Sequence, residues 1–285
     1  KKFILQDILN EINQFIDTTL SNKNNKKTIK KTTLLSKKLH PPKEKHLENI
    51  EYIKNKISEK EINKAVISRV EEYKLSNEIP FSKIIKQLNN TYSDCFNFLI
   101  KLNDETYFIG SSPEKIISKN NNSYSSHAIA GTSKNNLVLK DKKEIEEHNY
   151  VIKHLNNILK RYSSKITIGT TKVLKLNYAN HIKTHIYGKT KFKIHILDLL
   201  NKIYPTPALS GSPTNKAVKL INKLEPFNRG WYGGAIGMYN NNGDGSFYVP
   251  IRSVLIKKGK LFFYSGGGIV KDSNSETENL VLCLT

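Results

Sequence analysis

Cysteine, tryptophan, methionine and arginine are all scarce in this chain of 285 residues: two, one, one and four respectively. Cys95 and Cys283 form no metal-ligand spacing and no disulfide framework, which fits a reducing, cytoplasmic compartment. No apolar run comes near the roughly 20 residues that span a bilayer, and no secretory leader opens the sequence. The scarcity of arginine bears on the charge. The formal net charge is +21, yet 42 of the 46 basic residues are lysine. A surface that reads phosphates or bases usually recruits the arginine fork, and the lysines here are scattered along the chain. The charge is therefore read as a compositional bias toward Lys and Asn. It argues against a nucleic-acid partner and favours a small anionic substrate.

What is present is unevenly placed. Eleven of the 15 glycines, the sole tryptophan and two of the four arginines fall within residues 204–270. That stretch contains YPTPALSGSP, EPFNRGWYGG, GDGSFYVPIRSV and FYSGGGIV in turn, and its escape from the Lys/Asn/Ile bias points to geometry or chemistry. Upstream, Phe3, Ile4, Ile8, Leu9, Ile12, Phe15 and Ile16 recur at helical spacing. Residues 21–45 are Lys/Asn/Ser-rich, contain Pro41-Pro42, and read as a loop or linker. The chain thus divides into an N-terminal helix and linker at 1–42 and a main domain at 43–285. Within the latter, helices are predicted at 43–60, 81–92, 140–162, 195–204 and after Pro213. A buried strand is predicted at 65–67 and a hairpin at 94–118 turning at Asn103-Asp104. Strands outnumber helices and often follow one another directly, which predicts an α+β fold with large antiparallel sheets.

KAVISR (64–69), GSSPEKI (110–116), AIAGT (128–132), EEH (146–148), HIKT (181–184), PTPALSG (205–211), EPFNRGWYGG (225–234), IRS (251–253) and SGGGIVKDS (265–273) occur in an order that resembles the chorismate-utilising enzymes. The resemblance runs from about residue 43 to 278. It implies a single domain of two large antiparallel β-sheets packed together, with helices on the outside and the substrate cleft between. Lys64 stands where the amine-transferring branch of that family has Gln. The isochorismate and salicylate synthases have Lys there, and the resemblance implies an isochorismate synthase, an Mg²⁺-dependent isomerase that would add water at C2 of chorismate and lose the C4 hydroxyl. It is expected to serve menaquinone biosynthesis, with siderophore or salicylate synthesis as alternatives. By the same resemblance Lys64 is the base that activates water, and Glu114 is the acid that protonates the departing hydroxyl. Ala130, Gly131 and Thr132 contact substrate. So do His181 and Thr184, and Ala208 and Leu209 line the pocket. Arg252 holds a carboxylate beside the backbone of Gly266 and Gly267. Glu147 binds Mg²⁺, a hard cation suited to carboxylates. Read without the resemblance, Lys64 is one solvated lysine among many and Glu114 is a turn carboxylate. Glu144, Glu146 and Glu147 are then a solvated helix face, and Ala208 and Leu209 are core.

Two departures stand out. Tyr204 precedes PTPA where the family has His. After GIVKDS the family continues S-x-P-x-x-E-W-x-E-T and then a lysine, whereas this chain reads NSETENLVLCLT. Glu278 matches the first glutamate, which leaves it as the second metal ligand. Val281 stands in place of the other glutamate, Asn279 replaces the tryptophan, and Thr285 falls near the lysine. The closing helix is accordingly expected to be missing or altered. Alternatives therefore stay open: a salicylate synthase, a lyase like anthranilate synthase component I, or a catalytically decayed relative that only binds chorismate. A monomer with no membrane partner is expected.

Overall fold

Strand β2 (Lys64–Leu75) opens with KAVISRV, seven consecutive buried residues. A run buried on both faces belongs in the middle of a covered sheet, and that is where the computed structural model places it. The structure describes residues 34–76, 81–133, 138–175 and 180–281. The expected helix at 3–16 lies outside the described residues. β2 pairs with β14 (Lys260–Ile269) along ten residues, from Lys74↔Lys260 to Ala65↔Ile269. The sheet continues through β13 (Ser253–Lys257) and β4 (Thr106–Ser112) to β3 (Phe96–Asn103). On the other side of β2 lie β1 (Leu34–His40) and the two-residue β10 (Gly211–Ser212).

The second sheet runs β11 (Ile236–Tyr239), β12 (Gly245–Tyr248), β5 (Lys115–Asn120), β6 (Ser123–Ser133), β9 (Asn180–Thr190) and β7 (Ser163–Ile168), with β8 (Lys172–Lys175) also on β9. Each sheet has seven strands and every pairing described is antiparallel. The α+β expectation with two large antiparallel sheets is met. The sheets meet where Phe96 stacks on Tyr248, ring centroids 4.5 Å apart, and where Arg252 reaches His181.

Six α-helices are described. Ile50, Ile53 and Ile57 of α1 (Lys43–Ser58) and Ala217 of α5 (Thr214–Leu224) pack on Ala65 and Ile67 of β2. Phe81, Ile84, Ile85 and Leu88 of α2 (Phe81–Thr91) pack against Ile109, Ile256 and Leu261. Val151, Leu155 and Leu159 of α3 (Lys142–Tyr162) and Ile196 and Ile203 of α4 (Ile196–Ile203) cover the second sheet at Ile117 and Ile186. No helix among the described residues is long and apolar enough to cross a membrane.

Two expectations are corrected. Residues 34–40, read as part of a linker, form edge strand β1 on β2. Its side chains are mostly exposed, so it joins the sheet through its backbone and leaves no apolar alternation to read. The ion pairs Lys37–Glu71 (2.9 Å) and His40–Glu72 (3.0 Å) reinforce it. Of the closing helix, expected to be missing or altered, seven residues are described as α6 (Ser275–Val281), so it is not missing. Asn274 Oδ1 accepts from Thr277 N at 3.0 Å and starts it. Asn279, which stands where a tryptophan was expected, is buried and accepts from Arg69 Nη1 at 2.8 Å.

Candidate active site

The long helix α3 carries the site's ionic half. Asp141 caps it, its side chain accepting from Lys143 N and Glu144 N. The buried positions are Glu144, Glu147, His148, Val151, Leu155 and Leu159, a single stripe at i, i+3 and i+4. Its C-terminal half is apolar and sits in the core. Its N-terminal half is carboxylate and imidazole, and faces a cleft between the sheets. The solvated-face reading of Glu144 and Glu147 fails here: both are 7% exposed.

That cleft is lined from the first sheet by Val66, Ile251, Arg252 and Gly266–Gly268, and from the second by Ile129–Thr132 and His181. Glu114, Glu147, Ala208, Leu209 and Glu278, all expected here, also lie on its walls, with Lys143, Glu144, Arg229, Tyr232 and Tyr264 beside them. Two predicted residues are not on the open wall. Lys64 is fully buried at the mouth of β2 and reaches the site through Glu147, Nζ to Oε1 3.1 Å. Thr184 does not contact the cleft, because along β9 it points to the opposite face from His181. It holds His148 instead, Oγ1 to Nε2 2.8 Å, and is itself bonded to Thr171 Oγ1 at 2.8 Å.

The charges are sorted by their surroundings. Glu114 is 4% exposed, and burial pushes its carboxyl up to about 8 against the opposing charge of Lys64. It is thus a neutral acid near pH 7. Glu147 goes the other way: burial resists its charge, but Lys64 and Lys143 outweigh that and pull it below the usual carboxylate range. Its carboxylate lies against Gly268, where any Cβ would collide with Oε1. This explains a glycine that the sequence presents only as part of a turn-like GGG.

Lys143 Nζ lies 3.0 Å from Glu144 Oε1, 3.2 Å from Glu147 Oε2 and 2.8 Å from Glu278 Oε1. Burial works against its charge, but Glu147, Glu278 and Glu144 together hold it firmly cationic. Each glutamate has a further anchor. Glu144 Oε2 accepts from Thr132 N at 2.6 Å, and Glu278 Oε1 accepts from Ser273 Oγ at 2.8 Å.

Opposite this cluster, Arg252 Nη2 meets His181 Nε2 at 2.6 Å, and His181 Nδ1 meets Thr132 Oγ1 at 3.0 Å. Arginine can only donate, so Nε2 accepts and the imidazole proton sits on Nδ1, donated to Thr132. Burial and then the Arg252 charge lower His181 to about 4, which keeps it neutral. Gly131 has φ +79, and a Cβ there would press on Glu144 O at 2.9 Å. The expected close backbone approach is therefore to α3.

Sequence reasoning did not single out Lys143, Glu144 or Arg229. Arg229 donates to both carboxylate oxygens of Glu225 (2.8 and 2.6 Å), to Leu209 O (2.8 Å) and to Val66 O (2.7 Å). It ties the PTPALSG loop to β2. Its rarity in a lysine-rich chain marked it. Nothing in composition marked Lys143.

The oxygen donors of Glu144, Glu147 and Glu278 have the chemistry a hard divalent cation requires. Among the described residues no three acidic, His or Cys side chains stand close enough to share one ion. The three glutamates are spread around the Lys143 ammonium instead. The donor set fits such a cation, and the place where it converges already holds a charge.

The family model for chorismate binding enzymes matches residues 2–280. Isochorismate synthase MenF of Bacillus subtilis (strain 168) is 32% identical over 244 residues, covering 81% of this chain and 52% of that protein. Among solved structures, DhbC of Bacillus anthracis superposes with a TM-score of 0.85 at 26% identity, over 90% of this chain and 73% of that one. MenF, the menaquinone-specific isochorismate synthase of Escherichia coli, superposes with a TM-score of 0.81 at 25% identity, over 95% and 65%. The chain spans about half the length of the Bacillus subtilis protein it matches.

Proposed function

The chain belongs to the chorismate-binding enzyme family, and on that footing we propose that it is an isochorismate synthase, converting chorismate to isochorismate. The similarity to MenF proteins supports this branch and a role in supplying menaquinone synthesis. The observation that carries it is the pairing, at one cleft, of a buried neutral carboxyl at Glu114 with a buried amine at Lys64.

In this reading Lys64 acts as the general base, taking a proton from water as the water oxygen bonds to C2 of the ring. The ring double bond shifts, and the C4–oxygen bond breaks. Glu114 gives its proton to the leaving hydroxyl, so one water enters and one leaves. Both proton positions are restored by exchange between the two groups and solvent. Arg252, oriented by His181, presents its remaining guanidinium N–H groups to a substrate carboxylate. The backbone of Gly266 and Gly267 lies beside it. Ala130, Ala208 and Leu209 form an apolar part of the cleft wall. Glu147 and Glu278, with Glu144 beside them, would hold Mg²⁺. When bound, that ion would supply a charge opposite the second substrate carboxylate. The enzyme is read as a cytoplasmic monomer.

Purified protein incubated with chorismate and Mg²⁺ is expected to yield isochorismate on chromatography, with no anthranilate when ammonia is added. Lys64→Ala is expected to lower kcat at least about 100-fold, the usual contribution of a positioned base. Salicylate with pyruvate among the products would assign the lyase branch instead. No turnover by the intact protein would leave a chorismate-binding relative that has lost its chemistry.

A further inference from the structure

An ammonium group has three N–H donors, and the structure gives Lys143 three carboxylates: Glu144, Glu147 and Glu278, at 3.0, 3.2 and 2.8 Å. The lysine comes from the first turn of α3, two residues past the Asp141 cap. Two of its partners are on the same helix and the third is on α6, so one side chain gathers charges from two ends of the chain. The carboxylates do not depend on it for position. Glu147 is braced by Lys64 and by the backbone at Gly268, Glu144 by Thr132 N, and Glu278 by Ser273. The cluster is built, and the cation in its middle sits at the end of a long unbranched stem. Lys143 lines the cleft and keeps 14% of its side chain in solvent, so its four-carbon stem has a route out.

We propose that Lys143 is a resident counter-ion that competes with divalent cations for Glu147 and Glu278. It holds three mutually repelling carboxylates together in the metal-free protein and has to swing aside before a divalent ion can take the same oxygens. The inference rests on the proposed function for the kind of ion, but not for the competition. Its consequence is an apparent metal affinity weaker than the three carboxylates alone would give, so that the protein loads metal only above a threshold concentration.

The test needs neither chorismate nor turnover. Mn²⁺ binding to the full chain is followed by electron paramagnetic resonance, with Lys143→Met beside the wild type. The methionine keeps length and removes charge. The variant is expected to bind Mn²⁺ roughly ten-fold more tightly, because the ion no longer has to break charge-assisted hydrogen bonds to reach its ligands. Equal or weaker binding by a folded variant would overturn the proposal. Should Lys143→Met fail to fold, the wild type itself decides. Labelling of Lys143 by an amine-reactive reagent, read by peptide mass mapping, is expected to be slow without metal and several-fold faster with Mn²⁺. Potassium chloride at equal ionic strength serves as the control. Labelling that Mn²⁺ leaves unchanged would overturn it as well. If isochorismate forms while both outcomes go against Lys143, only the counter-ion role is lost.

Discussion

Three of the four arginines do what lysine could not. Arg229 grips both oxygens of Glu225 while donating to two backbone carbonyls. Arg69 spans from Pro41 O to Asn279 Oδ1. Arg252 sits on His181. A rigid planar fork fixes the directions of its donors as a flexible ammonium does not, so in a chain biased toward lysine the surviving arginines mark fixed geometry. Glu114 offers the sharpest test at this scale. Its folded value, about 8, lies above the ordinary 4.5. The stability it contributes is therefore full below pH 4.5 and is lost as pH rises through 8. The loss is at most about 5 kcal/mol between those limits. Glu114→Gln cannot ionise, so its urea-unfolding stability relative to wild type is expected to improve from pH 5 to pH 9. Its turnover should fall by about 100-fold or more, while wild-type turnover declines above pH 8. A stability difference that does not change with pH would show that this carboxyl is not a buried acid. The sequence made Glu114 legible only through its family likeness, since a carboxylate after proline in a turn is ordinarily exposed. Its backbone is fixed by a residue distant in sequence, Val249, whose N–H donates to Glu114 O at 3.0 Å.

Elements with a strong apolar period were readable: α3, α4, α5 and the β3–β4 hairpin all lie where periodicity and turn residues put them. β1 was not, because an edge strand buries little and is held by backbone pairing. The switch along α3 from an apolar stripe to Glu144, Glu147 and His148 was visible in the spacing, but charge is normally solvated and the pattern alone favours the wrong side. α6 is a further case. Its sequence departs from the family's, and still it docks, because Asn279 accepts from the buried Arg69 and so fastens α6 to β2. Asn279→Ala is expected to cost roughly 1–3 kcal/mol, the loss of a hydrogen bond to a buried charged group, and to loosen Glu278 one residue away. Denaturant unfolding measures the first, and Mn²⁺ binding the second. A neutral result in both would mean that α6 is held by other contacts.

For the molecule as a whole, acid is the vulnerable side. Three buried histidines and the half-buried His127 are held neutral. Burial and then Arg69 lower His46 to about 4. Burial, then Lys183, Lys115 and His185, lower His127 to about 3. Burial chiefly lowers His148 and His181 to about 4. Groups depressed below 6.5 contribute stability above that pH and lose it as the pH falls. Each costs about 3 kcal/mol by pH 4. A chain already at +21 gains further positive charge over the same interval. Thermal melts are expected to fall steadily from pH 7 to pH 5. A variant with His46→Gln and His127→Gln should fall less steeply. A melting temperature that stays level across that range would contradict this picture.

β14 has a consequence for how the protein is made. It lies between β2 and β13, yet about two hundred residues separate it in sequence from the β2 residues it joins. On the ribosome, β2 emerges well before β14 and waits, one long flank open, until the residues between them have been translated. Contacts so distant in sequence close slowly. A strand left in that condition invites pairing with a neighbouring nascent chain. The yield of native protein should therefore depend on how quickly the codons between β2 and β14 are read and on whether a chaperone shields β2 in the meantime.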